Sequence, residues 1–268
     1  MKDIPRISTK TGITFTKALF PGVVYIAKVE KNTETLPALI GIKSELLVKI
    51  IYSGLAKERY GQDVHMWLSK NDMAPHYFTN ICTTLPSPPP GMLPLETYHV
   101  MEYLPPPLGA SMGWMTLYDL GRDFPKEAKQ SKPQIKEALD TILETLQCRN
   151  FVHGDFRTNN VLVYVQINEN SHGGRSIVIQ PRPCSDSLAY LKVIDFDWAG
   201  LADKVRYPSM RNPQIHWQGE NGKTININHD KDMIDEWLAF WPGDQPVQVP
   251  EDVGFICNVL PSTVDVSK

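Results

Sequence analysis

Polar residues suited to binding a metal ion and a phosphate group occur at two places in the second half of the chain. In the first, Asp155 and Asn160 lie five positions apart in a loop between an apolar helix and an apolar strand. In the second, Asp195 ends a short apolar strand, forty residues after Asp155. Carboxylate and amide oxygens suit Mg²⁺, which takes few protein ligands and relies on substrate phosphates for the others. The two loops together predict a site for phosphoryl transfer.

Simpler interpretations exist for the same residues. Asp and Asn side chains readily form hydrogen bonds with nearby backbone in turns and helix caps. A lone histidine such as His153 is more often packed in a loop than catalytic. Arg157 either binds a substrate phosphate or pairs with an acid. The joint spacing of Asp155, Asn160 and Asp195 between apolar strands favours a functional site.

The first hundred residues are rich in β-branched and aromatic residues, which predicts a β-rich N-terminal region. Strands are predicted over 13–19 and 23–29, with a turn at Pro21-Gly22, and then over 45–51, 76–83 and 97–104. Lys49 is the one charge inside the third strand. A helix is predicted over 57–70 because four apolar residues recur at intervals of three and four: Tyr60, Val64, Trp67 and Leu68.

The second half of the chain predicts one long helix and several short strands. An apolar stripe runs from Ile135 to Leu146, with Pro133 near the first turn of the predicted helix. Short strands are predicted over 161–167, 177–179 and 191–194, the first two as a hairpin. The region over 105–132 is expected to be a turn-rich and then charged connection.

The composition is that of an ordinary globular protein. The chain has 268 residues, of which 42% are hydrophobic, with 27 Lys plus Arg against 30 Asp plus Glu. A net charge of −3 argues against a nucleic-acid partner. The longest uncharged stretches contain several prolines, so neither a membrane helix nor a membrane partner is expected.

The cysteines and the N-terminus predict an intracellular, cytoplasmic protein. No pair of cysteines has the spacing of a zinc site, and all four are expected to be free buried thiols: Cys82, Cys148, Cys184 and Cys257. The first ten residues carry charges where a signal peptide needs an apolar run.

The two polar loops read HGDFRTNN at 153–160 and DFDWAG at 195–200. They resemble the protein-kinase-like superfamily of HGD type, and most closely the kinase-like proteins of mushroom-forming fungi, over about residues 23–241. The resemblance implies an α+β, two-lobed protein-kinase-like fold in a single domain over 1–268. A small β-rich N-lobe would span 1–103, and a shortened helical C-lobe would span 104–268.

The resemblance also implies an ATP-dependent kinase that requires Mg²⁺. The γ-phosphate would go to a hydroxyl group of a protein Ser or Thr, or of a small molecule. Asp155 would receive or orient the hydroxyl proton, while Asn160 and Asp195 would hold Mg²⁺. Lys49 would bind the α- and β-phosphates of ATP.

Supporting roles follow from the same resemblance. Asp63 is the candidate acid that holds Lys49, with Glu58 as the alternative. Asp230 would steady the 153–160 loop from behind. The strand and hinge that receive adenine would include three consecutive residues: Met101, Glu102 and Tyr103.

Departures from the kinase pattern keep a second function open. Gly22 is the one glycine between the first two strands, where typical kinases carry a glycine-rich loop. Asp197 and Trp198 replace the small residue after Phe196, no A-P-E motif follows, and the chain beyond Trp241 is short. The alternative is a pseudokinase, a nucleotide- or protein-binding module, whereas the intact polar residues favour an active enzyme.

Overall fold

The N-terminal part of the chain forms one antiparallel sheet. The computed structural model describes residues 13–20, 23–29, 39, 45–52, 60–84, 95–169, 174–183 and 185–242. The sheet contains strands β1 (Ile13–Phe20), β2 (Val24–Val29), β3 (Leu46–Tyr52), β4 (Tyr77–Thr84) and β5 (Leu95–Glu102). They lie in the order β1-β2-β3-β5-β4. The five predicted strands are confirmed, although β5 ends two residues before the predicted end.

The two faces of this sheet contact different surroundings. Phe15 of β1 and Val48 of β3 lie on one face, within a buried apolar cluster made of sheet residues and Leu39. Successive residues of a strand point to opposite faces. Lys49 therefore lies on the other face, where it contacts Asp195 of the C-terminal part.

Helix α1 (Gln62–Lys70) packs against the C-terminal part of the chain. Val64 and Leu68 are fully buried in a large apolar cluster whose other members lie mostly beyond residue 116. Trp67 adds a hydrogen bond from Nε1 to the backbone oxygen of Thr145, 2.8 Å away. Helix α1 thus belongs to the apolar core of the C-terminal part, although it precedes β4 and β5 in sequence.

The C-terminal part combines helices with short strands. Its helices are α2 (Leu117–Asp123), α3 (Pro125–Gln147) and α4 (His229–Phe240). Its strands are β6 (Met112–Thr116), β7 (Phe151–Val152), β8 (Val161–Glu169), β9 (Arg175–Ile179), β10 (Pro181–Arg182), β11 (Ser185–Ala189), β12 (Leu191–Val193) and β13 (Gly200–Leu201). Strand β8 pairs antiparallel with β6, β9 and β12, which confirms the predicted β8–β9 hairpin.

The long predicted helix is confirmed but starts earlier. The stripe from Ile135 to Leu146 is buried, as expected. The helix nevertheless begins at Pro125, so Pro133 lies inside it and not near its first turn. Residues 126–132 are mostly good helix formers, and Pro125 occupies the first turn, where a proline removes no helical hydrogen bond.

The predicted turn-rich connection over 105–132 is correct as far as residue 111 and wrong beyond it. This region contains β6, all of α2 and the first two turns of α3. Thr116 caps α2, because its Oγ1 accepts a hydrogen bond from the backbone N–H of Asp119 at 2.9 Å. A five-residue strand and a seven-residue helix contain too few residues for a clear hydrophobic period.

The chain therefore has a mixed α+β fold, with a β-rich N-terminal sheet and a helical C-terminal part. Cys82 and Cys148 are free, as expected, but both are exposed and not buried. Cys184 and Cys257, the turn at 21–22 and the proline cluster at 86–91 lie outside the described residues. Among the helices described, none is long and apolar enough to span a lipid bilayer.

Candidate active site

A cavity of about 400 Å³ lies between the N-terminal sheet and the C-terminal part. Six residues predicted for the site line its wall: Lys49, Met101, Glu102, Tyr103, Asn160 and Asp195. Binding sites for small molecules usually have volumes of about 300–1,000 Å³. The cavity thus has room for a small ligand. Asp63 and Asp155, which were predicted with these six, are not among the residues that line it.

Lys49 forms ion pairs with two carboxylates that follow β12. Its Nζ lies 2.6 Å from Asp195 Oδ1 and 2.5 Å from Asp197 Oδ1. Burial alone lowers the pKa of Lys49, but the two carboxylates outweigh burial and raise this pKa to about 12. Lys49 is therefore a cation at neutral pH, held at the junction between the sheet and the C-terminal part.

Asp195 begins a sharp turn after β12. Its φ of 68° lies in the left-handed region, which Asp adopts more readily than most residues. Burial favours the neutral acid, but Lys49 overcomes this effect and lowers the pKa of Asp195 below its ordinary value. The carboxylate is therefore ionised and suited to a cation. Phe196, the next residue, is buried and stacks on His65 with ring centroids 4.4 Å apart.

The predicted pairing of Lys49 with Asp63 is wrong. Asp63 lies on the exposed side of α1. The buried face of this helix consists instead of Val64, His65 and Leu68. Adjacent residues of a helix point about 100° apart, so an acid next to the inward face still points to solvent. Asp197 supplies the second carboxylate for Lys49, and Glu58 lies outside the described residues.

His65 occupies the inward position on α1, and it is neutral. Its Nε2 lies 2.8 Å from the backbone oxygen of Pro75, and its Nδ1 lies 2.5 Å from the hydroxyl of Tyr60. Burial lowers the pKa of His65 to about 3. Tyr60 lines the cavity, and its ring centroid is 5.8 Å from Lys49 Nζ. This side of the site therefore offers aromatic contact to Lys49 in place of a helix acid.

Asp230 holds the 153–160 loop from behind, as predicted. It is almost fully buried at the start of α4, and burial raises its pKa. Its Oδ2 accepts a hydrogen bond from the backbone N–H of His153 at 2.6 Å, and its Oδ1 accepts one from Gly154 at 2.8 Å. His153 Nε2 lies 3.0 Å from the backbone oxygen of Ile194. His153 thus links the loop to the strand end next to Asp195.

Two features of the 153–160 loop require a glycine at position 154. Its φ of 83° lies in the left-handed region. A Cβ at this position would lie 2.7 Å from Ile225 Cδ1 and 3.2 Å from the backbone oxygen of Trp198. The loop therefore needs glycine both for its backbone conformation and for its close approach to neighbours.

Asp155 and Asn160 lie at the two ends of one hydrogen-bonded turn. Asn160 Nδ2 donates to the backbone oxygen of Asp155 at 2.9 Å. Both carboxylate oxygens of Asp155 pair with Arg157, at 2.8 Å between Nη2 and Oδ2. Arg157, for which the sequence left two roles open, therefore pairs with an acid. The turn connects the Asp155 carboxylate to the Asn160 amide on the cavity wall.

The predicted hinge is tied to the C-terminal part. Met101 is buried at the end of β5, and its neighbour Glu102 donates its backbone N–H to the oxygen of His76 at 2.8 Å. Glu102 Oε2 lies 3.0 Å from Lys192 Nζ, and the Lys192 side chain is only 6% exposed. Lys192 lies in β12, three residues before Asp195. This ion pair therefore connects the hinge to the strand that leads into the turn at Asp195.

The residues present fit a magnesium ion bound together with phosphates. Asn160, Asp195 and Asp197 all line the cavity, and their side chains carry amide or carboxylate oxygens. Within the described part of the chain, no three His, Cys, Asp or Glu side chains form a cage for a metal ion. Magnesium commonly binds through one or two carboxylates and completes its shell with substrate phosphates, so this donor set suits it.

Lining residues that the sequence prediction missed include Lys17, Tyr60 and Asp197. Asp197 was interpreted only as a departure from the kinase pattern, although it stands two positions after Asp195. Tyr60 was assigned to the apolar stripe of a helix, yet it precedes α1 and lines the cavity. Lys17 also lines the cavity, and a single lysine in an amphipathic strand gives no signal that separates it from a solvent-facing residue.

Comparison with known proteins gives a distant structural likeness. The chain is similar to the kinase PK-1 of Cydia pomonella granulovirus, with 17% sequence identity and a TM-score of 0.38. The match covers 74% of this chain and 57% of the viral one, so the chain spans less than two thirds of that kinase. No protein-family model and no curated protein matches the chain significantly. Such a likeness gives no information about activity.

Proposed function

We propose that the chain is an ATP-dependent phosphotransferase that moves the γ-phosphate of ATP to a hydroxyl group of a protein Ser or Thr, or of a small molecule. The observation that carries this proposal is the convergence on one 400 Å³ cavity of Lys49 from the sheet with Asn160 and Asp195 from the C-terminal part. The 2.6 Å ion pair between Lys49 and Asp195 joins the two halves of the site.

Each of these side chains has a distinct role in nucleotide binding. Adenine would lie against Met101 and the following backbone at 102–103, which line the cavity. Lys49 would exchange part of its carboxylate contact for the α- and β-phosphates. Asn160 and Asp195 would hold Mg²⁺, which neutralises phosphate charge when bound.

The transfer step forms one bond and breaks one. The acceptor oxygen bonds to the γ-phosphorus while the bond from that phosphorus to the bridging oxygen of ADP breaks, which yields a phosphate ester and ADP. The hydroxyl proton passes to the Asp155 carboxylate. Arg157 fixes the orientation of that carboxylate through its two contacts, so catalysis depends on positioning and charge.

Gly154 supports the HGD-type assignment, because the loop has no space for the side chain that other kinases carry there. The resemblance to proteins of mushroom-forming fungi stays a prediction from the two motifs.

A pseudokinase is the second candidate, and two contacts favour it. Arg157 engages both oxygens of Asp155, and Lys49 is neutralised by two carboxylates. In such a protein these ion pairs would stabilise the fold, and the cavity would bind nucleotide without transfer.

Thermal unfolding with Mg²⁺ and ATP, followed by a radiolabel transfer assay on protein and metabolite acceptors, tests the proposal. A ligand at 100 times its dissociation constant stabilises the folded state by about 2.7 kcal/mol. Asp195→Ala should abolish the Mg²⁺-dependent part of this stabilisation. Asp155→Asn should retain it and lower the transfer rate by about 10²–10⁴-fold, the usual effect of losing a general base.

Asp232→Asn is the matched control, because Asp232 is an exposed residue of α4 outside the site. Nucleotide binding without transfer to any acceptor, together with no effect of Asp155→Asn, would replace the enzyme by the pseudokinase. No binding of ATP would contradict the enzyme and a nucleotide-binding pseudokinase, and would leave only a protein-binding module.

A further inference from the structure

A β-bulge in β1 changes the direction of Lys17. Phe15 is opposite Ala27 of β2, but Lys17 is opposite Ile26, so Thr16 is the extra residue. Thr16 Oγ1 donates a hydrogen bond to the backbone oxygen of Ile26 at 3.2 Å. Directly opposed residues of an antiparallel pair share one face of the sheet. The bulge therefore moves Lys17 from the face of Phe15 to the face of Ile26, as bulges near functional sites commonly do.

The face that Lys17 joins is the cavity wall. Ile26 is opposite Leu47 of β3, and Leu47 is opposite Met101 of β5. Lys49 is two residues from Leu47 in β3, so it shares that face. Lys17, Leu47, Lys49 and Met101 all line the cavity. Without the bulge, Lys17 would point to the same side as buried Phe15.

Lys17 also differs from Lys49 in its electrostatic surroundings. Lys49 is paired with two carboxylates, whereas Lys17 is exposed and forms no ion pair with any residue that the structure describes. The cavity wall thus carries a second cation whose charge no described acid balances. Gly22 is the one glycine between β1 and β2, so this chain lacks the glycine-rich loop whose backbone N–H groups bind phosphates in other nucleotide sites.

We propose that Lys17 binds the phosphates of the nucleotide and takes the place of backbone donors from a glycine-rich loop. This inference rests on the proposed function, since it assigns nucleotide to the same cavity. A lysine ammonium is a compact cation that suits phosphate oxygens. Its contribution depends on ligand charge, so the site should favour nucleoside polyphosphates over the nucleoside.

Lys17→Gln tests the inference through the affinities for ATP and for adenosine, measured by calorimetry with Mg²⁺ present. ATP affinity should fall by about ten-fold, the effect of one hydrogen bond to a charged group. Adenosine affinity should not change, and Lys17→Arg should restore most of the ATP affinity. Lys28→Gln is the matched control, because Lys28 lies in neighbouring β2, is 60% exposed and pairs with Glu45.

Unchanged ATP affinity in Lys17→Gln, or an equal loss for ATP and adenosine, would overturn the role of Lys17. If the wild type transfers phosphate and Lys17→Gln binds ATP normally, this inference alone fails. If the wild type binds ATP, loses affinity in Lys17→Gln and transfers no phosphate, the enzyme proposal alone fails.

Discussion

Gly154 offers a test that separates backbone strain from crowding. Gly154→Ala places a side chain at φ 83° and within 2.7 Å of Ile225 Cδ1. Gly222 has a similar φ of 72° but no atom within 4 Å of its Cβ position. A left-handed conformation costs a non-glycine residue about 1–2 kcal/mol.

We expect Gly222→Ala to lower the free energy of unfolding by that amount alone. Gly154→Ala should lower the free energy of unfolding by about 1 kcal/mol more, because the neighbours of the new side chain must move. This substitution should also reduce ATP-induced stabilisation. Urea denaturation of the two variants checks this expectation. Equal losses would mean that the loop accommodates a side chain at position 154.

Lys49 pairs with Asp197 and not with Asp63. In a double-mutant cycle, Lys49→Met and Asp197→Asn should show a coupling of about 1 kcal/mol in the free energy of unfolding. The figure is modest because Asp197 is 40% exposed and water screens the pair. Lys49→Met and Asp63→Asn should be additive within about 0.5 kcal/mol. Coupling to Asp63 in place of Asp197 would contradict the observed pairing.

At the element scale, Asp230 joins the first turn of α4 to the 153–160 loop. Asp230→Asn keeps the shape of the side chain but replaces one acceptor oxygen by an NH₂ group. One of the two backbone donors, at His153 or Gly154, then faces another donor. A buried donor left without a partner costs about 1–3 kcal/mol.

We therefore expect Asp230→Asn to lower the free energy of unfolding by about 2 kcal/mol or more in urea titrations. Asp235→Asn on the same helix is the control, because Asp235 pairs with Lys231 at the surface. Similar losses in the two variants would mean that the loop does not depend on Asp230.

The elements differ in how far the sequence predicted them. Helix α3 follows from its hydrophobic period, and the sheet strands follow from their β-branched and aromatic residues. The position of Asp230 behind the loop was also predicted, from the resemblance of the 228–233 segment to kinases. The predicted pairing of Asp63 with Lys49 was wrong because it depends on how α1 is rotated about its axis. Choosing a position one residue away on a helix changes the direction of the side chain by about 100°.

Other parts of the site depend on contacts that no local pattern encodes. The bulge at Thr16 is a matter of strand register, which the alternation of β1 does not determine. The pairing of Lys49 with Asp197 joins residues 148 positions apart in sequence. Only the packing of the sheet against the C-terminal part brings them together.

At the scale of the whole molecule, buried aromatic and histidine rings join the N-terminal sheet to the C-terminal part. His99 of β5 stacks on Tyr60 with centroids 4.1 Å apart, and Tyr60 contacts His65 of α1. His65 in turn stacks on Phe196 beside Asp195. Burial lowers the pKa of His65 to about 3, and burial with the charge of Lys49 lowers that of His99 to about 4.

These two neutral histidines should make the fold sensitive to acid. An unfolded histidine has a pKa of about 6.5, so below that pH the unfolded chain binds protons that the folded chain does not. Stability is then lost as the pH falls. At roughly pH 4.5, each histidine should lower the free energy of unfolding by about 2–3 kcal/mol. The two together should lower it by about 5 kcal/mol, which is comparable to the whole stability of many domains.

Urea denaturation as a function of pH checks this expectation. Between about pH 6.5 and 4.5, His65→Gln should reduce the slope of unfolding free energy against pH by up to about 1.4 kcal/mol per pH unit. The slope, and not the absolute stability, is the measure, because Gln also alters the contacts with Tyr60 and Pro75. His216→Gln is the control, since the His216 side chain is 69% exposed. If the His65→Gln slope equals that of the wild type, His65 is charged in the folded protein, and the junction between the two parts is more open to water than its geometry indicates.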